Sequence, residues 1–203
     1  MRMFALLLLA GLPTAPIADS LDALLAQFRA VPGLEARFRE EKHLRLLASP
    51  LISEGVIRFA PPQRFLRQTT TPIVSAVLID RGQLSFGDAH GSESLSLSAN
   101  PVARLFVDSF LKLLEGDRAS LDAIYEINWK PTGTGWSLML KPKVKQVAQV
   151  IERLEMVGKG VVLERMRVVE VGGDETVTVF TDVNATRRFS SEELPRLFRL
   201  PAP

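Results

Sequence analysis

The spacing of apolar residues changes along the chain, and each change marks a change of element. Leu21, Leu24, Leu25 and Phe28 recur at three and four, the spacing of one helical face. Ser20 stands where an N-cap belongs, Asp22 falls in the first turn, and Pro32-Gly33 stops the run. One amphipathic helix is predicted over 20–31. The spacing then shortens towards two. Strands are predicted at 35–47, 51–59, 64–71, 73–79, 83–87 and 93–98. In the last of these Leu95 and Leu97 alternate with serines, a half-buried pattern. Pro61-Pro62 and Pro72 mark strand ends, because proline cannot donate to a sheet ladder. Asp80-Arg81-Gly82 reads as a tight hairpin turn.

A helical period returns after Asn100-Pro101. Val102, Leu105, Phe106, Phe110, Leu113 and Leu114 form the stripe, with Asn100 as cap, Pro101 at the first helical position and Glu115-Gly116-Asp117 as the stop. A shorter helix is predicted over 120–124. Period two then resumes. Tyr125, Ile127 and Trp129 share a face, as do Trp136, Leu138 and Leu140 beyond the Gly133-Thr134-Gly135 turn. Further strands are predicted at 149–157, 161–171 and 175–182, separated by turns at Gly158-Lys159-Gly160 and Gly172-Gly173-Asp174. In the last strand Val177 and Val179 alternate with Thr176 and Thr178. A final short helix runs from Ser190 through Phe198, interrupted at Pro195.

The sum is about eleven strands and few helices, a mainly β (α+β) chain. Consecutive hairpins without strand–helix–strand alternation predict one large antiparallel sheet, strongly curled. The helices are too few to form their own layer, so they are expected to plug or lid the concave face.

Composition adds three constraints. A length of 203 residues fits one domain, expected over 19–203. The net charge is +2, and removing residues 1–18, which contain Arg2, leaves +1; no nucleic-acid surface is indicated. There is no cysteine, which excludes disulfides, thiolate chemistry and N-terminal lipidation at a cysteine. Arg2 followed by ten apolar or small residues, Met3 to Leu12, reads as a secretory signal peptide, too short for a membrane span. Cleavage is expected after Ala18, so the mature protein is expected to be exported, in a bacterial context to the periplasm.

Catalytic equipment is sparse. His43 lies in a charged strand and His90 in a polar turn, and neither has a second histidine at metal-ligand spacing. There is no Gly-x-Ser-x-Gly elbow, phosphate loop or dinucleotide fingerprint. Asp80 and Asp88 read as turn residues, and Glu40-Glu41 as a solvated strand face. Trp129 and Trp136 flank a hairpin turn and read as a cross-strand aromatic pair, or as ligand contacts. No enzyme, metal or cofactor is expected.

Three runs in order carry a resemblance. The first is Phe28 to Phe38. The second comprises Glu54-Gly55-Val56-Ile57-Arg58-Phe59, Pro62-Gln63-Arg64-Phe65-Leu66-Arg67, Pro72 and Asp80-Arg81-Gly82. The third comprises Leu138-Met139-Leu140-Lys141-Pro142, then Asn184 and Phe189. Together they resemble the LolA family of periplasmic outer-membrane lipoprotein carriers, whose relatives include LolB and the N-terminal domain of RseB. The resemblance implies an unclosed antiparallel β-barrel of about eleven strands with a helical lid. It implies a non-enzymatic, monomeric carrier that shields the acyl chains of lipoproteins between an inner-membrane donor complex and an outer-membrane acceptor. The lid would be the helix over 102–114. The lipid-binding residues implied are Ile57, Phe59, Phe65, Val77, Ile79, Leu105, Phe106, Phe110, Leu138 and Leu140. Two positions depart from the family pattern: its arginine before proline corresponds to Pro61, and its tryptophan to Arg67. These departures leave open a paralogue carrying a glycolipid or another acylated product, or a lipid-sensing module like RseB.

Overall fold

The computed structural model describes residues 20–96 and 111–201. The predicted signal peptide, and Leu105, Phe106 and Phe110 of the predicted lid helix, lie outside the described residues. Eleven strands form one sheet. They are β1 (Leu34–His43), β2 (Leu51–Ala60), β3 (Arg64–Thr71), β4 (Ser75–Asp80), β5 (Gln83–Asp88), β6 (Gly91–Ser96), β7 (Tyr125–Thr132), β8 (Gly135–Pro142), β9 (Ile151–Lys159), β10 (Val162–Glu170) and β11 (Glu175–Asn184). The helices are α1 (Leu21–Arg29), α2 (Arg118–Ile124), α3 (Lys145–Ala148) and α4 (Glu193–Leu197), with a further helical turn at 111–114.

The strand order is β6-β5-β4-β3-β2-β1-β11-β10-β9-β8-β7, with every pair antiparallel. The chain therefore starts at the middle of the sheet, folds outward to β6, restarts at the other edge and folds inward until β11 meets β1. The barrel is not closed. Its two edges, β6 and β7, are the strands joined by the segment that contains the helical turn 111–114 and α2.

The turn chemistry is local. Between β4 and β5 the two loop residues, Arg81 and Gly82, both have positive φ (48° and 79°), the geometry whose twist suits a hairpin. The proline breaks fall where the sequence places them: Pro61-Pro62 in the β2–β3 turn, Pro72 after β3. Ser20 caps α1, its hydroxyl accepting from the Ala23 N–H at 3.1 Å. Several boundaries differ from the sequence reading, and the last helix begins at Glu193 instead of Ser190 and runs through Pro195 without interruption. The first strand stops at His43, because a turn closes from the Leu47 N–H to the Leu44 carbonyl. The helix predicted at 120–124 begins at Arg118, since Asp117 caps it by accepting from the Ser120 N–H at 3.1 Å. The unpredicted turn α3 delays β9 to Ile151, and Val147 anchors it in the core.

The two faces of the sheet bury different things. The concave face carries the main core, in which Leu24, Leu25 and Phe28 of α1, Leu113 and Leu114 of the helical turn, and Leu121 of α2 pack on inward strand residues. Phe28 meets Trp136 edge-on with ring centroids 6.1 Å apart. A smaller cluster lies behind the sheet, where Phe198, Phe189 and Leu194 cover Leu66, Ala60 and Ala76. Trp136 lies opposite Pro131 in the ladder and Trp129 opposite Leu138, so the two tryptophans are not a directly opposed cross-strand pair. The hairpin register, set by the Gly133-Thr134 turn, staggers them by one inward position.

Candidate functional site

Among the described residues, those on the concave face of β1–β5, β10 and β11 leave a hollow, a cavity of about 410 Å³. The alternation of strand side chains dictates what lines it. On β1 the inward set is Phe38, Glu40 and Lys42, and the ladder aligns these with Phe180, Thr178 and Thr176 of β11. From β2 and β3 come Ile57, Phe65 and Arg67, from β4 Val77 and Ile79, from β5 Leu84 and Phe86. Met166, Val168 and Glu170 of β10, Leu154 of β9 and Leu111 of the helical turn complete the described lining.

These residues are sorted along the strands. The end nearest α1 is apolar, built from Phe65, Ile79, Leu84 and Leu111. The end towards the β1–β2 and β10–β11 loops is polar. There the Arg67 guanidinium lies 4.2 Å from the centroid of the Phe38 ring, donates to Glu40 at 2.8 Å and donates to the Thr69 hydroxyl at 3.0 Å. The second Glu40 oxygen accepts from the Thr178 hydroxyl at 3.0 Å. Lys42 and Glu170 face each other at 3.6 Å, beyond hydrogen-bond length.

Gly55 makes this arrangement possible. It lies opposite Phe38 in the ladder, and a Cβ there would come within 1.9 Å of the Gln68 carbonyl oxygen and 2.8 Å of the Phe38 ring. With no side chain in the way, Phe38 lies flat across β2 and presents its face to Arg67.

The helical turn beside the cavity is tethered. Its end is a Schellman-type cap: the Asp117 N–H bonds to the Lys112 carbonyl, the Gly116 N–H bonds to the Leu113 carbonyl, and Gly116 has φ +63°. Arg29 of α1 donates to the Gly116 carbonyl at 2.7 Å.

The rim at the polar end also carries exposed apolar side chains. Leu46, Leu47, Leu51, Ile52, Ile73, Val74, Val150 and Val171 are all exposed in the loops and strand ends of this rim, Leu46 almost fully at 98%.

Of the residues singled out in the sequence, Ile57, Phe65, Val77 and Ile79 line the cavity. Phe59, Leu138 and Leu140 are buried in the concave core and are not among the lining residues. Leu105, Phe106 and Phe110 lie outside the described residues. Glu40 is a correction: only Glu41 belongs to the outer face, whereas Glu40 points into the cavity, because Phe38 fixes the inward parity of β1. Arg67, singled out as a departure from the family pattern, lines the cavity. The sequence reading does not place Lys42, Thr176 and Thr178 there; the parity of Phe38 finds Lys42 on its own strand, and the threonines follow only once β11 is paired with β1. His43 and His90 are exposed, and among the described residues no group of acidic, cysteine or histidine side chains could hold a metal ion.

An unclosed antiparallel barrel with an apolar hollow and short covering helices defines a class of fold, and the comparisons agree with it. The family model described as "Outer membrane lipoprotein carrier protein LolA" matches residues 29–194, and the chain belongs to that family. Solved structures are similar to the chain at low identity. MucB superposes with a TM-score of 0.51 at 14% identity, covering 87% of this chain and 62% of MucB. The LolA superfamily protein NE2245 from Nitrosomonas europaea gives a TM-score of 0.45 at 12% identity, covering 91% of this chain and 98% of that one. No curated protein matches the chain in sequence.

Proposed function

We propose that this protein is a periplasmic, non-catalytic carrier that shelters the acyl chains of lipoproteins or of a related lipid during transfer from inner to outer membrane. The observation that carries the reading is the largely apolar hollow on the concave face, bordered by a core of buried side chains. Burying a methylene stabilises by about 0.8 kcal/mol, so one sixteen-carbon chain exposed in water costs on the order of ~12 kcal/mol. A carrier must hide that surface and still release it. An open barrel does both, since a wall that is not a closed ring can widen to admit the cargo and to release it. The exposed leucines, isoleucines and valines of the rim suit a surface at which cargo is received from an inner-membrane donor and passed to an outer-membrane acceptor. Among the described residues no helix is long and apolar enough to cross a membrane.

The test is native mass spectrometry of the protein purified from the periplasm. Co-purifying acylated ligand is expected, and Val77→Glu, a charge on a partly buried lining position, is expected to remove it. Absence of binding across lipid classes would overturn the reading.

A further inference from the structure

Within the carrier reading, on which this inference rests, the charged end of the cavity calls for its own account. An acyl chain alone needs only apolar walls. Yet four charged side chains, Glu40, Lys42, Arg67 and Glu170, line the same hollow, all gathered at its mouth. Arg67 and Glu40 are mostly buried, with side chains 28% and 22% exposed. Stability does not explain them, because a largely buried ion pair is commonly matched or bettered by apolar residues of similar size.

Their arrangement has a definite chemistry. The mouth holds two cations and two carboxylates, so it has no net charge. Glu40 and Lys42 are two residues apart on one face of β1, which spaces a carboxylate and an ammonium by about 7 Å along the strand. The Lys42–Glu170 pair at 3.6 Å leaves both groups with hydrogen-bonding capacity to offer a ligand. A purely anionic head would meet the carboxylates Glu40 and Glu170, and a purely cationic head would meet Lys42 and Arg67. A head carrying both signs a few bonds apart satisfies both sets. We propose that the mouth is a head-group subsite for a zwitterionic amphiphile of the phosphoethanolamine kind, its phosphate directed to Lys42 and Arg67, its ammonium to Glu40 and Glu170, and its acyl chain in the apolar end.

The probes are palmitoyl lysophosphatidylethanolamine, palmitoyl lysophosphatidylglycerol and hexadecyl maltoside, each titrated below its aggregation threshold against a fluorescent fatty acid held in the cavity of the full chain. The zwitterionic probe is expected to displace the fluorophore at about tenfold lower concentration than the other two. The preference is expected to vanish in Lys42→Gln, whose half-exposed side chain makes no short bond that folding needs, and in the double variant Glu40→Gln/Arg67→Gln, which keeps polar groups at both positions. Equal displacement by all three heads would overturn the subsite while leaving the acyl cavity standing. So would preference for the anionic head, or a zwitterionic preference that survives both variants. If neither the fluorophore nor any probe binds, the cavity reading itself fails and the subsite with it.

Discussion

Phe38, Gly55 and Arg67 form a stack in which each residue depends on the next. The missing side chain at Gly55 lets Phe38 lie flat, and the ring then carries the guanidinium. Gly55→Ala is therefore expected to destabilise the protein by at least ~2 kcal/mol, because the new methyl meets backbone instead of a movable side-chain end. Urea unfolding measures this, and a change within experimental error would contradict the packing account. The residue scale also shows what the sequence conceals. In β11 the alternation of valine and threonine is plain, but the valines invite the inward assignment. The structure turns the threonines inward instead: Thr178 is buried against Glu40, and Val179 is exposed. Hydrophobicity alone misassigns a face when the cavity it lines is polar at that level. The parity of Phe38 on β1 resolves the matter, but only once the β1–β11 pairing is known, and Glu40 and Thr178 are 138 residues apart in sequence.

At the scale of elements, the strands were legible because proline and glycine punctuate them and their hairpins are local. The short helices were less so. Four-residue α3 has no side-chain cap and too few positions to display a period, so it was invisible in the pattern. The helix running into Leu114 has a legible end. Gly116 closes it in a left-handed conformation, tight against the Leu25 carbonyl, where a Cβ would sit at 2.2 Å. Gly116→Ala is expected to cost at least ~1 kcal/mol and to raise amide exchange at residues 111–114, which hydrogen exchange reads out directly.

On the outer face, β9, β10 and β11 are laced by Arg167, which donates to Glu175 at 2.6 Å and to Glu155 at 3.2 Å. The Arg167 bonds hold the Glu175 carboxyl below its ordinary value of 4.5. For Glu155, burial pushes upward, but bonds from Arg153 and Arg167 outweigh it and hold that carboxyl low too. A carboxylate depressed in the folded state stabilises fully above its unfolded value and loses that contribution as pH falls through the folded one. Stability is therefore expected to decline below about pH 4.5, by less than ~1 kcal/mol per pair for such part-exposed groups. Arg167→Gln should flatten this part of the profile in thermal unfolding followed from pH 6 to about pH 3. An unchanged slope would remove these pairs from the acid response.

For the whole molecule, the topology explains the cavity. The first and last strands pair at the centre of the sheet, so β6 and β7 stand at its two ends without pairing with each other, and the concave face is closed by what packs across it. Among the described residues, α1, α2 and the turn at 111–114 fill part of that face, and the hollow lies beside them. A ligand that binds only the folded state should then raise stability, by about 2.7 kcal/mol at a hundredfold excess over its dissociation constant. That stabilisation should be absent in Val77→Glu. The central claim, that an acyl chain lies inside the barrel, is tested most directly by photo-crosslinking from a diazirine amino acid at Val77, inside the hollow, and at Val179, on the outer face. The account predicts that an isotope-labelled acyl ligand is captured from position 77 and not from position 179. Equal capture from both positions, or capture from the outer face alone, would contradict it.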